Sequence, residues 1–308
     1  MTRTIALRIV AVLISIGLLW WLVADARWAG VGARLSHIDA VALAGVALLF
    51  AASYAMRGAR IHGEFREEIG RDGRRTYARI LRLTLVHNAL VNVLPFRSGE
   101  AAFPVLLSRW FGIGTGRAVV SLLWLRAQDA TVVLALAALV WPGLAIVWRV
   151  VALIAIVGGA WAVPDWARRH RVASTSPRLA KIQALLERST RRNLPGWLWT
   201  IGNWSVKLVA EAWLVALALG PHDAAGRSAA VLGAIGAELA AILPIQGVAG
   251  FGTFEAGGAA LMRTQGVALT DGLEAVLVLH AVVLALALVA GALAALLLPG
   301  PSAATDRG

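Results

Sequence analysis

The sequence predicts an all-α, polytopic membrane helix bundle, and three observations predict it. Hydrophobic residues fill 59% of the 308 positions and charged residues only 15%, where soluble globular domains run at roughly 45–50% apolar and about 25% charged. Mean hydropathy is +0.74, and several apolar stretches reach the roughly 20 residues that cross a bilayer as a helix. The Arg residues cluster in loops beside those stretches.

The same numbers exclude whole classes of function. With zero Cys there is no disulfide framework, thiol nucleophile, iron–sulfur cluster or Cys-based zinc site. The net charge of +12 needs no nucleic-acid partner, because the preference for Lys and Arg in cytoplasmic loops explains where the charge sits. The longest polar loops hold only about 30 residues, too few for a separate catalytic domain.

The first span is Ile5–Ala24, with Arg3 and Arg8 at its start and Trp20, Trp21 and Trp28 near its end. Ala24-Asp25-Ala26 raises a cleaved signal peptide as the alternative, but an apolar run ending in bulky Trp suits a retained anchor. Ile38–Met56 is the second span. Residues 57–82 then read as a basic loop carrying Arg57, Arg60, Arg66, Arg71, Arg74, Arg75, Arg79 and Arg82. A second basic loop, between Pro164 and Pro195, carries Arg168, Arg169, Arg171, Arg178, Lys181, Arg188, Arg191 and Arg192. Both loops are expected in the cytoplasm; the loop after the first span holds only Arg27 and Arg34, which puts the N-terminus inside.

Ala118–Val140 and Leu144–Val163 form a hairpin turning at Trp141-Pro142-Gly143. Leu83–Phe111 must therefore cross an even number of times or not at all. It contains Asn88, Asn92, Pro95, Arg97, Gly99, Glu100 and Pro104, which fits a re-entrant pair of half-helices rather than a lipid-facing helix. Gly196–Leu219 crosses outward, and Ser228–Leu243 and Phe251–Met262 are short apolar pieces separated by Pro244–Gly250. Leu273–Leu298 returns the chain to the cytoplasm, and Pro299–Gly308 reads as a disordered tail. The expected organisation is one membrane domain over 1–298, with a first half at 1–163, the basic loop at 164–195, and a second half at 196–298. The two broken pairs enter from opposite sides, one in each half, as an inverted repeat would place them.

Three groups of residues carry chemistry. In the first, Pro95 removes a backbone donor and Gly99 permits unusual dihedrals, so the helix opens among Asn92, Arg97, Glu100 and Pro104. Non-helical backbone at membrane depth is tolerated only inside protein or beside a water-filled cavity, which places Arg97 and Glu100 at such a cavity. An interfacial loop with an ordinary Arg–Glu pair is the alternative. In the second, Glu238 precedes Pro244, Gln246, Gly247, Gly250, Gly252 and Glu255. Its glycines let backbone approach a ligand closely, and half-helix ends point dipoles at an ion or headgroup; a glycine-rich packing turn is the alternative. Leu94-Pro95 and Leu243-Pro244 look like one device used twice.

The third group comprises Arg126 with Asp129 and Lys207 with Glu211, spaced i,i+3 and i,i+4 in apolar helices. A lone charge at a helix centre costs about 2.5–3.5 kcal/mol on insertion scales, so each pair reads as self-neutralised structure or as part of a translocation path. Gln128 and Asn203 add polarity beside them, and His87 and His280 read as packed or hydrogen-bonded residues. No HExxH, GxxxxGK[ST] or DDxxD-like pattern is present, so neither a cofactor nor an enzymatic reaction is expected. The 13 Trp mostly flank span ends as an interfacial belt.

At these motifs the sequence resembles the flippase-like membrane region of lysylphosphatidylglycerol synthases and its stand-alone relatives. Asn92, Pro95, Arg97, Gly99, Glu100 and Pro104 match an Asn-x-x-x-Pro-x-x-x-Gly-Glu block, and Leu243, Pro244, Gly250 and Glu255 match a Leu-Pro…Gly-x-Gly-x-x-Glu-like block with looser spacing. Arg126 and Asp129 sit where the family often has Glu-Arg-x-x-Asp, with Leu125 in place of the Glu, and Phe103 stands where many members have Arg. The resemblance covers nearly the whole chain. It implies a membrane region that moves lipids between leaflets, without the soluble aminoacyl-transferring domain.

The leading expectation is therefore a flippase or scramblase of an anionic phospholipid or other polar lipid. The headgroup would pass a polar groove built by Asn92, Arg97, Gly99, Glu100, Arg126, Asp129, Lys207, Glu211, Glu238, Gln246, Gly250, Gly252 and Glu255, opened by breaks at Pro95, Pro104 and Pro244. A secondary transporter of a small soluble substrate is one alternative; a non-catalytic membrane partner of a lipid or glycan synthase is another. Heavy use of Arg over Lys points to a bacterial plasma membrane.

Overall fold

The structure is a computed structural model, and it describes residues 27–70, 73–169, 193–220, 224–242 and 248–300, together with Ala184 and Glu187. The expected first span, most of the second basic loop, Leu243–Gly247 and the expected tail beyond residue 300 lie outside the described residues. Helices and their connections account for every described segment, with no strand among them.

A short amphipathic helix, α1 (Arg27–Ser36), leads to α2 (Ala40–Glu64), whose start is fixed by Asp39 accepting from Val41 N at 2.9 Å and Ala42 N at 3.1 Å. A single turn, α3 (Arg66–Ile69), precedes α4 (Gly73–Val93). The chain then breaks into a 3₁₀ turn, Pro95–Ala101, and resumes as α5 (Ala102–Phe111), which stops at Gly112 in the left-handed region with φ +67°. The hairpin comprises α6 (Thr115–Val140) and α7 (Ile146–Arg169). Arg149 holds its turn through the carbonyls of Leu139 and Leu144 (2.8 Å each) and Trp141 (3.1 Å).

In the second half, α8 (Leu194–Leu219) begins with Asn193 accepting from Gly196 N at 3.1 Å and Pro195 in the first turn. Next come α9 (Ala224–Ile242), a 3₁₀ turn at Val248–Gly250, α10 (Thr253–Arg263) and α11 (Leu269–Leu297). Among the described residues, four helices are long and apolar enough to cross a membrane: α2, α6, α8 and α11. α7 adds the shorter apolar stretch Ile146–Ala162. Its Ile146, Val147, Trp148 and Ile154 are exposed, as are Val41 and Leu48 of α2 and Leu296 and Leu297 of α11. Exposed apolar faces of this kind mark contact with lipid or with another protein, and helices of this length and hydropathy suit a bilayer. The chain is a multi-pass membrane protein.

Packing divides into three apolar clusters. α2, α8 and α11 meet α10 through Val46, Phe50, Leu214, Val276 and Met262; α2, α4, α5 and α6 meet through Ile61, Ile80, Leu83, Phe103 and Leu107; α6, α8 and α9 meet through Val133, Trp204, Leu208 and Ile235. α9 and α10 approach backbone to backbone: a Cβ on Gly236 would stand 2.4 Å from Gly257 O, and one on Gly257 2.5 Å from Gly236 O. This close approach of small residues joins the two helices that flank the second break. The 3₁₀ turns of the two breaks touch each other.

One expectation is corrected. Residues 57–82 are not a continuous basic loop: α2 runs on to Glu64 and α4 starts at Gly73. Arg57 and Arg60 lie inside α2, and buried partners on α4 and α6 let helix continue where a charge count alone implies an exit from the membrane. Arg27 and Arg34, expected in a loop, belong to α1, where Arg34 binds Asp271 (2.7 Å), Glu274 (2.8 Å) and Ala218 O (3.1 Å).

Candidate functional site

The first break follows from local sequence. Leu94 is extended (φ −76°, ψ 135°), and Pro95 brings no N–H to continue the ladder of α4. The turn then folds back so closely that a Cβ on Gly99 would stand 2.3 Å from Leu90 O. Only glycine permits that return, and it delivers Glu100 to the centre of the bundle. Asn92 Nδ2 donates to Asn88 O at 2.8 Å, tying off the last turn of α4.

The second break is held from α11. Ala249 (φ 53°), Gly250 (φ 87°) and Gly252 (φ 90°) all occupy the left-handed region, an arrangement costly for Ala. His280 Nε2 meets Ala249 O at 3.0 Å, its Nδ1 meets Glu255 Oε1 at 2.6 Å, and Gly252 N donates to Glu255 Oε2 at 2.7 Å. Phe251 stacks on the imidazole with centroids 4.1 Å apart and planes 24° apart.

Between the breaks lies a cavity of about 390 Å³, bordered by Asn92, Leu94 and Glu100 on one side and Ala249, Gly250 and Thr253 on the other. Its charges form two groups. In one, Asp129 receives Arg60 Nη1 at 2.5 Å, Trp204 Nε1 at 2.9 Å and Arg126 Nη1 at 3.4 Å, with Arg57 Nη2 at 3.9 Å. Arg126 also donates to Glu100 Oε1 at 2.6 Å, with His87 Nε2 at 3.6 Å from Oε2, and Arg57 donates to Asn88 Oδ1 at 3.1 Å. In the other, Lys207 Nζ donates to Glu238 Oε1 at 2.6 Å and pairs with Glu211 Oε1 at 3.3 Å. Glu211 is fully buried, and Lys207 is its charged partner. Ser53 Oγ donates to Asn203 Oδ1 at 2.8 Å between these groups.

Of the residues singled out from sequence, Asn92, Glu100, Arg126, Asp129, Lys207, Glu238 and Gly250 border the cavity. Glu211 stands behind Lys207. Gly99, Gly252 and Glu255 shape the breaks from behind the cavity wall, and Pro104 is buried in α5. Pro95 opens the first 3₁₀ turn. Arg97 lies in that turn, its side chain outside the description, and Pro244 and Gln246 lie outside the described residues. The local pairings read from sequence are secondary: Glu100 binds Arg126, Asp129 binds Arg60 more closely than Arg126, and Lys207 binds Glu238 more closely than Glu211.

Sequence reasoning missed Arg57 and Arg60, assigned to a loop, and gave His87 and His280 no part in the site. It also passed over Ser53 and Trp204, and read Asn88 only as a sign of the broken segment. Regular helical spacing was the available signal, since 53, 57 and 60 share one face of a helix. Among the described residues, no group of three or more His, Asp or Glu side chains is arranged to hold a metal ion. The arrangement can solvate a polar or charged group at the centre of an otherwise apolar bundle. It offers cations on one wall and a Lys–Glu cluster on the other.

A family model, the lysylphosphatidylglycerol synthase TM region, matches residues 8–291. No curated protein matches the chain.

Proposed function

The chain belongs to the lysylphosphatidylglycerol synthase transmembrane-region family, and from that membership we propose that it moves a polar lipid between the leaflets of a bilayer. The cavity supplies charged and polar groups that replace headgroup hydration, while acyl chains remain in lipid. Burying a bare headgroup in hydrocarbon is the main barrier to crossing, and a preformed polar path at that depth lowers it.

The observation that carries this proposal is the rim of the cavity. Leu94, Leu123 and Ile242 border it and are themselves exposed, at 37%, 63% and 39%. A charged interior behind an exposed apolar lip suits a ligand with a polar head and an apolar body. A sealed midplane chamber would instead suit a small soluble substrate. No covalent step is needed, and membrane lipids are the partners this reading requires.

The test uses purified protein in liposomes carrying a headgroup-labelled lipid in both leaflets and an external impermeant quencher. Wild type is expected to expose the inner-leaflet label, and Arg126→Ala and Glu238→Ala, one from each charged group, to slow that exposure. Protection of the inner half of the label by wild type, with anionic and zwitterionic headgroups alike, counts against scrambling.

A further inference from the structure

The second break is closed by a hydrogen-bond arrangement that only one protonation state satisfies. His280 Nδ1 lies 2.6 Å from Glu255 Oε1, and His280 Nε2 lies 3.0 Å from Ala249 O. A carbonyl oxygen and a carboxylate oxygen only accept, whereas a neutral imidazole offers one N–H and one lone pair. Both contacts are satisfied together only when the pair holds two protons: one on Nε2 facing Ala249 O, the other between Nδ1 and Oε1. Removing either proton leaves two acceptors face to face in a site where His280 is 4% and Glu255 5% exposed, which is unfavourable at such depth.

The contacts on either side make that proton mechanically important. Ala249 is held at φ 53°, a conformation alanine adopts only under constraint, and His280 is what grips its carbonyl. Glu255 holds the next turn through Gly252 N at 2.7 Å. Phe251 and Phe254 cover the ring at 4.1 Å and 4.7 Å. Other elements bring charge to the same cavity: Arg57 on α2, His87 on α4, Glu100 in the first break, Arg126 and Asp129 on α6, Lys207 on α8 and Glu238 on α9. Each has a partner within its own group. α1 brings Arg34 to Asp271 and Glu274, nearer the start of α11.

We propose that the Glu255–His280 pair is a proton-binding site that clamps the second break shut when loaded and frees Val248–Gly252 when the proton leaves. Its ligand is the proton itself, taken up and released without other chemistry. If lipid translocation is the function, this site couples it to protons, and only that coupling rests on the translocation proposal.

The test exploits a chain with no Cys. A single thiol is introduced as Thr253→Cys, bordering the cavity beside the break, and its alkylation is followed against pH in the full-length protein. Glu255→Gln in the same background supplies the comparison. Its amide oxygen can accept from Gly252 N while its NH₂ donates to Nδ1, so the closed break needs no titrating proton. The ratio of the two alkylation rates, each first divided by that variant's own thiolate fraction, removes the thiol's ionisation. If one proton leaves on opening, the ratio rises about tenfold per pH unit across the titration. ¹⁵N spectra of labelled histidine are expected to show His280 Nε2 protonated in the loaded protein, with Nδ1 either protonated or accepting from Glu255 Oε1, and Nε2 alone protonated in Glu255→Gln. A ratio flat from acid to alkaline pH, or a His280 Nε2 bare throughout, overturns the site. Liposome quenching in parallel separates the two proposals. A flat ratio with active translocation removes the proton site alone; a pH-dependent ratio without translocation supports the proton site and removes the lipid reading.

Discussion

Arg60 donates to Asp129 across 2.5 Å, joining α2 to α6 between residues 69 positions apart, and both partners are buried. Arg60 also donates to Leu125 O at 2.6 Å and Gln128 Oε1 at 3.0 Å, and Asp129 accepts from Trp204. Breaking a buried pair by removing one partner typically costs about 3–5 kcal/mol, because the remaining charge has no compensation. Asp129→Ala, which strips the carboxylate from buried Arg60, is expected to destabilise by that amount, and Arg60→Ala by less, since Arg126 at 3.4 Å and Trp204 at 2.9 Å still hold Asp129. Arg60→Met with Asp129→Leu should cost clearly less than the two single losses added. Thermal unfolding of detergent-purified protein, followed by helical circular dichroism, checks this; additivity of the two losses would mean that the pair contributes no coupling.

Glycine at position 99 lets the first break return against α4, since a Cβ there would stand 2.3 Å from Leu90 O and 2.6 Å from Val91 Cα. Backbone cannot yield as a side chain would, so Gly99→Ala is expected to destabilise by about 1–3 kcal/mol, as overpacking does. It should also slow lipid exposure in liposomes, because Glu100 shifts with the turn. Gly159→Ala is the control: nothing lies within 4 Å of its new methyl, and alanine gains roughly 0.5–1 kcal/mol over glycine in a helix interior. Equal melting temperatures for the two variants would remove the packing argument.

Helix spans and breaks were legible because their signals are local. Pro95, Gly99 and Pro104 announce an opening within a few residues, and it falls after Val93. The expected spans Gly196–Leu219 and Leu273–Leu298 lie within a few residues of Leu194–Leu219 and Leu269–Leu297. Pairing across the bundle was not legible. Arg57 and Arg60 carry the signature of a cytoplasmic loop, and what keeps them in a helix is Asp129 and Asn88 on other helices. Lys207 shows Glu211 one turn away, but its closer partner, Glu238, is 31 positions on. His280 gains its role from Glu255, 25 positions earlier. Local charge spacing finds the pairs Arg126–Asp129 and Lys207–Glu211, and leaves their closer partners on other helices unread.

The polar fastening of α1 comes from Arg34, beside the apolar packing of Trp28 and Val31. Arg34 reaches Asp271, Glu274 and Ala218 O, and its side chain is 21% exposed. Exposure limits each ion pair to about 1 kcal/mol or less, so Arg34→Ala should leave the melting temperature nearly unchanged. It should still loosen the docking of α1 on α11 and α8. Hydrogen exchange over Arg27–Ser36 is expected to accelerate in the variant and, through screening, in wild type at high salt. Unchanged exchange in Arg34→Ala would show that Trp28 and Val31 hold the helix without it.

Lys207 is one ammonium facing two buried carboxylates, Glu238 at 2.6 Å and Glu211, farther off, at 3.3 Å. Formal charge there is one cation against two anions when all three are ionised, and Glu211 is the least supported member. Removing the cation should therefore cost far more than removing the second carboxylate. Lys207→Met is expected to lose about 3–5 kcal/mol, as for any buried pair left half-made, whereas Glu211→Gln should keep wild-type stability or exceed it. Combining the two should recover part of the Lys207→Met loss, since only Glu238 would then lack a partner. Unfolding of the two single variants and the double variant decides the matter. A loss in Glu211→Gln as large as that in Lys207→Met would show that Glu211 anchors the ammonium and Glu238 does not.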